Sequence, residues 1–123
     1  MELSTDFPPW LKEQLARYDQ LQQNLQAIVS QKQLLEAEKA EADRATEELK
    51  KAAPDATVYK NAGSVLVKAN KDEVLKELEE KADLTSTRIQ VLAKQEERIR
   101  ASLQEVQNKV NEALKSKQDR PAK

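Results

Sequence analysis

The stretch that decides the fold is Thr57-Val58-Tyr59-Lys60-Asn61-Ala62-Gly63-Ser64-Val65-Leu66-Val67-Lys68-Ala69, which holds the only glycine of the 123 residues. β-Branched and aromatic residues, which favour extended strands, occupy both of its halves. Asn61-Ala62-Gly63 lies between the halves and supplies residues typical of turns. The stretch therefore predicts a β-hairpin, with strands at Thr57 to Lys60 and Ser64 to Lys68 and a positive φ at Gly63.

Prolines delimit a helix on each side of the hairpin. They occur at positions 8, 9, 54 and 121, so residues 10–53 and 55–120 are free of the residue that breaks helices. Pro54 disfavours helical geometry at Ala53, and Asn70 can cap a following helix while Glu73 reaches back. These boundaries predict a helix at about 9–53, a hairpin at about 56–69 and a second helix at about 71–117, in a single domain of residues 1–123.

Both helices carry a heptad repeat of apolar residues. We call the positions reached by alternating steps of three and four the seam, because they form the face that packs against a partner helix. Eight of the twelve seam positions in the first helix are apolar, and ten of the twelve in the second. The seam comprises Leu11, Gln14, Tyr18, Leu21, Leu25, Ile28, Lys32, Leu35, Lys39, Ala42, Thr46 and Leu49 in the first helix, and Leu75, Leu78, Ala82, Thr85, Ile89, Leu92, Glu96, Ile99, Leu103, Val106, Val110 and Ala113 in the second.

The two helices are similar in length and the connection between them is short, so the sequence predicts that they fold back antiparallel as a coiled coil. An isolated two-stranded hairpin is marginally stable, and its open edges require partner strands. One chain alone is expected to leave Val58, Val65, Leu66 and Val67 inadequately buried. The predicted fold class is mainly α: a long antiparallel helical hairpin joined by a single β-hairpin, through which several chains assemble.

Composition excludes several classes of function. Lysine and arginine total 21 against 22 acidic residues, so no net field attracts the chain to nucleic acid or to an anionic membrane. No apolar run is long enough to span a bilayer, and the segment Met1 to Pro9 lacks the apolar core of a signal peptide. The sequence therefore predicts a cytoplasmic protein that binds neither nucleic acid nor membranes.

Ordinary catalytic and metal-binding side chains are missing. The chain has no histidine or cysteine, no glycine-rich phosphate loop and no Ser/His/Asp set. Adjacent carboxylates such as Glu79 with Glu80 point in different directions from a helix and form no acid/base pair in a cleft. We therefore expect no catalytic residues, no metal site and no cofactor, and we predict that the chain is not an enzyme.

Apolar residues also gather near the two chain ends. Composition alone favours the interpretation that they cap the coiled coil and restrict fraying. The alternative is an exposed apolar tip that binds another protein. The candidate residues of this tip are Phe7, Trp10, Leu11 and Leu15 from the first helix, with Val110 and Leu114 from the second.

The segment Val58 to Lys68, VYKNAGSVLVK, resembles the hairpin of the prefoldin β class. Its flanks agree with that resemblance: Gln22 to Gln33 is similar to the family's glutamine-rich first helix, and Lys94 to Ile99 is similar to its second helix. A single hairpin indicates the β class, because α-class subunits carry two. The Phe7-Pro8-Pro9-Trp10 segment departs from the family pattern.

The resemblance implies a hexamer of two α-class and four β-class subunits, held together by hairpins joined into a β-barrel. The implied assembly hairpin includes Val58, Tyr59, Gly63, Val65, Leu66 and Val67. The resemblance also implies an ATP-independent chaperone that holds non-native polypeptides at the coiled-coil tips and passes them to a group II chaperonin, which favours the exposed-tip interpretation. The alternative function is a structural coiled-coil adaptor or spacer with one fixed partner.

Overall fold

The computed structural model describes residues 7–119, and the elements follow the order helix, strand, strand, helix. Helix α1 spans Pro9–Lys51, strand β1 Val58–Ala62, strand β2 Val65–Ala69 and helix α2 Lys71–Asp119. Residues 1–6, on which the expectation of no signal peptide partly rests, lie outside the described range, as do the last four of the predicted domain. The predicted fold of two long helices with one antiparallel hairpin between them is confirmed.

Two compact units divide the described chain. The terminal unit contains residues 7–30 and 92–119, and the hairpin unit contains residues 31–91. In the terminal unit, Leu15 and Tyr18 of α1 line a groove with Gln107 and Val110 of α2. A second groove in this unit is lined by Ile28, which is later in α1 than Leu15, and by Ile99, which is earlier in α2 than Val110. Residues later in α1 therefore lie beside residues earlier in α2, so the helix segments pair antiparallel in this unit.

The seam predicted from the heptads is the buried face of both helices. Every predicted seam position is buried or half-buried. The most buried apolar members, in chain order, are Leu11, Ala42, Leu92, Leu103 and Val106. The charged seam members Lys39 and Glu96 are half-buried and keep their charged ends paired along their own helix, Lys39 with Asp43 at 3.1 Å and Glu96 with Arg100 at 2.9 Å. The stem of Lys39 thus covers the seam while its charged end stays near water, whereas Glu96 is mostly buried and is paired with exposed Arg100.

Helix boundaries follow from local hydrogen bonding. The carbonyl of Pro8 accepts from the amides of Leu11 and Lys12, which fits a helix whose first residue, Pro9, needs no amide proton. The α1 helix ends at Lys51, two residues earlier than predicted, because the Ala52 amide donates to Leu49 in a tight last turn before Pro54. At the start of α2, the predicted Asn70 cap is confirmed: its Oδ1 accepts from the amides of Asp72 at 2.9 Å and Glu73 at 3.3 Å.

The turn of the hairpin lies later than predicted. Ala62 pairs with Val65, so the loop is Gly63-Ser64, while Asn61 and Ala62 belong to β1. Gly63 has the predicted positive φ, 68°, and no other described residue has one. A two-residue loop with positive φ at its first position only is a type II′ turn, which matches the right-handed twist of the strands. Because glycine adopts a positive φ more readily than other residues do, the turn lies at Gly63 and not at Asn61.

We expect Gly63→Val to destabilise the hairpin by roughly 1 to 3 kcal/mol, because a β-branched residue is strained at positive φ. A Cβ at this position would meet no atom within 4 Å, so the cost arises from the backbone and not from a clash. Thermal unfolding followed by circular dichroism measures the change. Ser64→Val is the matched control, since Ser64 lies in the same two-residue turn without a positive φ, and an equal loss of stability in the two variants would contradict the assignment.

Candidate functional site

The hairpin presents apolar side chains on both of its faces. Pairing of Val58 with Ala69 and of Ala62 with Val65 fixes which residues share a face. The inner face, as we name it, comprises Val58, Lys60, Ala62, Val65, Val67 and Ala69, and the outer face comprises Tyr59, Asn61, Leu66 and Lys68. The predicted sharing of one face by Val65 and Val67 follows directly from this register.

Most of these apolar side chains remain exposed within the chain. Val65 is 57% exposed and Leu66 67%, and Tyr59 and Val67 are also exposed. Val58 differs from its prediction, because at 8% exposure it is already buried within the chain. Its position at the base of the inner face, opposite half-buried Ala69, explains the difference. The exposed hairpin surface is therefore Tyr59, Val65, Leu66 and Val67.

Both long edges of the hairpin are unpaired. Among residues 7–119 the sheet consists of β1 and β2 alone, so each strand has one edge without a neighbouring strand. Unpaired strand edges accept further strands from other chains. Exposed apolar faces together with two open edges form a surface suited to assembly.

A second group of exposed apolar residues lies in the terminal unit. Trp10, Leu15 and Leu114, which we call the terminal group, have exposed side chains, and Trp10 is 47% exposed. Phe7 and Val110 are half-buried. Leu15 and Leu114 each follow directly after a seam residue, which places them at the border of the buried stripe. The structure thus brings apolar side chains from both ends of the chain into one unit.

Leu11 does not join the terminal group. It is only 4% exposed, so the structure does not place it among the exposed apolar residues of this unit, and its role in client binding stays a prediction. The heptad repeat already indicated that Leu11 is buried, since Leu11 is the first seam position of α1. A residue in the seam packs against the other helix and is not available at the surface.

Sequence reasoning missed three exposed apolar residues in the hairpin unit: Leu34, Leu84 and Val91. Each lies two positions after a seam residue, on the outer surface of its helix. An apolar residue at such a heptad position is the signal that could have identified them. They provide matched controls for the surfaces described above.

Two further features that bear on function are metal-binding groups and membrane-spanning helices. Within residues 7–119, no three or more acidic, histidine or cysteine side chains are grouped to hold a metal ion. No helix in that range combines the length and apolar character needed to cross a bilayer.

Comparison with known proteins shows the family of this chain. The profile of the family described as prefoldin subunit matches residues 12–117. The chain belongs to the prefoldin family. It is 40% identical over 112 residues to the prefoldin subunit beta of Methanothrix thermoacetophila, covering 91% of this chain and 93% of that protein. It is 36% identical over 110 residues to the prefoldin subunit beta of Pyrococcus furiosus, covering 89% and 94%.

A solved prefoldin structure has the same fold. The crystal structure of the prefoldin beta subunit from Thermococcus strain KS-1 superposes with a TM-score of 0.83 at 34% identity, covering 95% of this chain and 98% of that one. The predicted resemblance to the prefoldin β class is confirmed. Membership of the prefoldin family also agrees with the prediction that the chain is not an enzyme.

Proposed function

We propose that this chain is a β-class subunit of a hetero-hexamer of two α-class and four β-class prefoldin subunits. The hexamer is an ATP-independent chaperone in the cytoplasm. It captures non-native polypeptides at the ends of its coiled coils and passes them to a group II chaperonin. The alternative, a structural coiled-coil adaptor, would bind one fixed partner or none.

Assembly is supported by the hairpin. Tyr59, Val65, Leu66 and Val67 expose apolar surface on both faces of a sheet whose edges are open. Burying that surface against strands of other subunits would satisfy the edge amides and carbonyls and remove apolar area from water. Within residues 7–119, no further strand covers this surface.

The holdase role rests on one observation: the terminal group exposes Trp10, Leu15 and Leu114 in the unit that contains the beginning of α1 and the end of α2. Isolated apolar side chains without a shaped pocket bind many sequences weakly, as promiscuous surfaces do. When several subunits carry such a surface, the first contact raises the effective concentration of the others. The complex then binds a non-native polypeptide tightly, although no single residue contributes most of the binding energy.

The proposed function is tested with the purified chain mixed with an α-class prefoldin subunit. Two unrelated denatured proteins are diluted into the mixture without nucleotide, and their aggregation is followed by light scattering. We expect near-complete suppression at a stoichiometric amount of complex, with no change on adding ATP. An unrelated coiled-coil protein of similar length is the control. Aggregation of both test proteins at the control rate would support the adaptor alternative and contradict the holdase proposal.

A further inference from the structure

An ion pair joins the hairpin to the second helix. The Nζ of Lys60 in β1 lies 3.1 Å from Oε1 and 3.3 Å from Oε2 of Glu77 in α2, so the ammonium contacts both carboxylate oxygens. An acidic residue four positions before a basic one, as Glu77 is before Lys81, favours pairing within a helix, but in the structure Glu77 pairs with a residue 17 positions earlier. The carboxylate thus connects two elements and does not merely stabilise its own helix.

The pair engages a defined face of the hairpin. Lys60 belongs to the inner face, two residues beyond buried Val58 and on the same face as Val65 and Val67. Since its ammonium is held by α2, the inner face is directed towards that helix, and the outer face with Leu66 is directed away from it. The pair therefore influences the direction in which each apolar face is presented.

The connection between the hairpin and α2 is a single residue. Strand β2 ends at Ala69 and α2 begins at Lys71, so only Asn70 separates them. Asn70 is fixed to the helix by the hydrogen bonds that its side chain accepts from Asp72 and Glu73. The hairpin can therefore change its angle to α2 only near this residue, and Lys60 with Glu77 bridges the two elements beside that pivot.

An ion pair of this exposure contributes little to global stability. The Lys60 and Glu77 side chains are 45% and 55% exposed, and solvent screens such pairs strongly. The same interaction can still bias the orientation of a small element that is joined to α2 through one residue, because Val65, Leu66 and Val67 are exposed and do not hold the hairpin by packing. Its effect is then expected on the hairpin angle and not on helix unfolding.

We infer that Lys60 and Glu77 form an electrostatic clamp that sets the angle of the hairpin relative to α2 and thereby aims its apolar faces at neighbouring subunits. The consequence for assembly rests on the proposed function, whereas the clamp itself is a property of the single chain. Both residues are positioning residues, since they act through the orientation of Val65, Val67 and Leu66.

The hairpin angle can be measured in the full chain. Because the chain contains no cysteine, Ser64→Cys with Lys81→Cys places two spin labels, one on the turn and one on α2. Labelled chains are diluted with unlabelled chains, and the distance distribution is recorded by pulsed electron paramagnetic resonance. Neutralising the clamp with Glu77→Gln is expected to lower the ratio of held to released hairpins roughly 1.5- to 5-fold, the range for exposed pairs.

Two further measurements separate the clamp from a general effect of charge. Sodium chloride at about 0.5 M should broaden the wild-type distribution and leave that of Glu77→Gln unchanged, because screening removes only an existing attraction. Exchanging the charges with Lys60→Glu and Glu77→Lys should restore the narrow distribution. Asp43→Asn is the matched control, since Asp43 is also 55% exposed but pairs with Lys39 within α1.

Identical distributions for wild type and Glu77→Gln would overturn the clamp, and so would equal broadening by Asp43→Asn. Assembly with an α-class subunit provides a separate readout, in which Glu77→Gln should slow complex formation while circular dichroism shows unchanged helix content. If the wild-type chain forms no complex at all, the proposed function fails, and the distance measurement still decides whether the clamp exists.

Discussion

A variant carrying Val65→Asp and Val67→Asp is expected to keep its paired helices and to lose assembly. Both side chains lie on the inner face and are exposed in the single chain, so carboxylates there stay hydrated and cost the monomer little. In an assembled sheet both carboxylates would be buried. Lys60 is the cross-strand neighbour of position 67, but position 65 faces Ala62 and has no cation opposite it, so the cost is on the order of several kcal/mol for each interface. Complex formation should therefore fall below detection at micromolar concentrations.

Light scattering of the variant mixed with an α-class subunit measures this loss, and circular dichroism reports whether the helices remain. The matched control is Leu84→Asp with Val91→Asp, which adds the same charge at two apolar residues of comparable exposure outside the hairpin. The control should assemble like wild type. An unchanged mass for the Val65 and Val67 variant would show that the hairpin is not the assembly element.

The second large effect is expected from the terminal group. Replacing Trp10, Leu15 and Leu114 with serine should leave the complex intact but abolish its suppression of aggregation. Leu11 is retained in this variant because it is buried in the seam and its loss would destabilise the helix pair. Deleting residues 1–10 together with the segment after Val110 is expected to give the same result.

The control for the terminal group replaces Leu34, Leu84 and Val91, three exposed apolar residues of the hairpin unit, with serine. It removes an equal number of exposed apolar side chains and should protect a denatured test protein as well as wild type does. If instead the control loses protection and the terminal variant keeps it, clients bind along the outer surface of the helices. The assignment of client binding to the terminal group would then be withdrawn.

Much of the fold could be predicted because burial along a helix follows a fixed period. Leu11, Leu92 and Val106 are buried where alternating steps of three and four place them, and even Lys39 and Glu96 follow the same face. The turn was harder to predict, because Asn61 and Gly63 both suit turns and only the pairing of Ala62 with Val65 decides between them. Residue preferences limit the turn to these few positions, and the register of the two strands determines which of them forms the turn.

The candidate surfaces were only partly predictable. Exposure of Val65 and Leu66 follows from a hairpin that one chain cannot cover. Burial of Val58 depends on how the base of the hairpin meets the rest of its unit, which periodicity does not describe. The contact of Lys60 with Glu77 joins two exposed residues from different elements, and a long charged side chain has many alternative partners. Which partner such a side chain contacts depends on how the two elements lie relative to each other, and the sequence pattern does not show that.

The two-residue turn at Gly63-Ser64 also bears on the order of events during synthesis. Every backbone pair of the hairpin, from Ala62 with Val65 to Val58 with Ala69, closes a short loop, and hairpins of this kind form within microseconds. The groove that joins Leu15 to Val110 requires nearly the whole chain. Since translation adds only about 5 to 20 residues per second, all residues of the hairpin are synthesised several seconds before the terminal unit is complete, and a strand of another subunit can stabilise the otherwise marginal hairpin in that interval. Its open edges are therefore available for joining another subunit before the surface proposed to hold clients has formed.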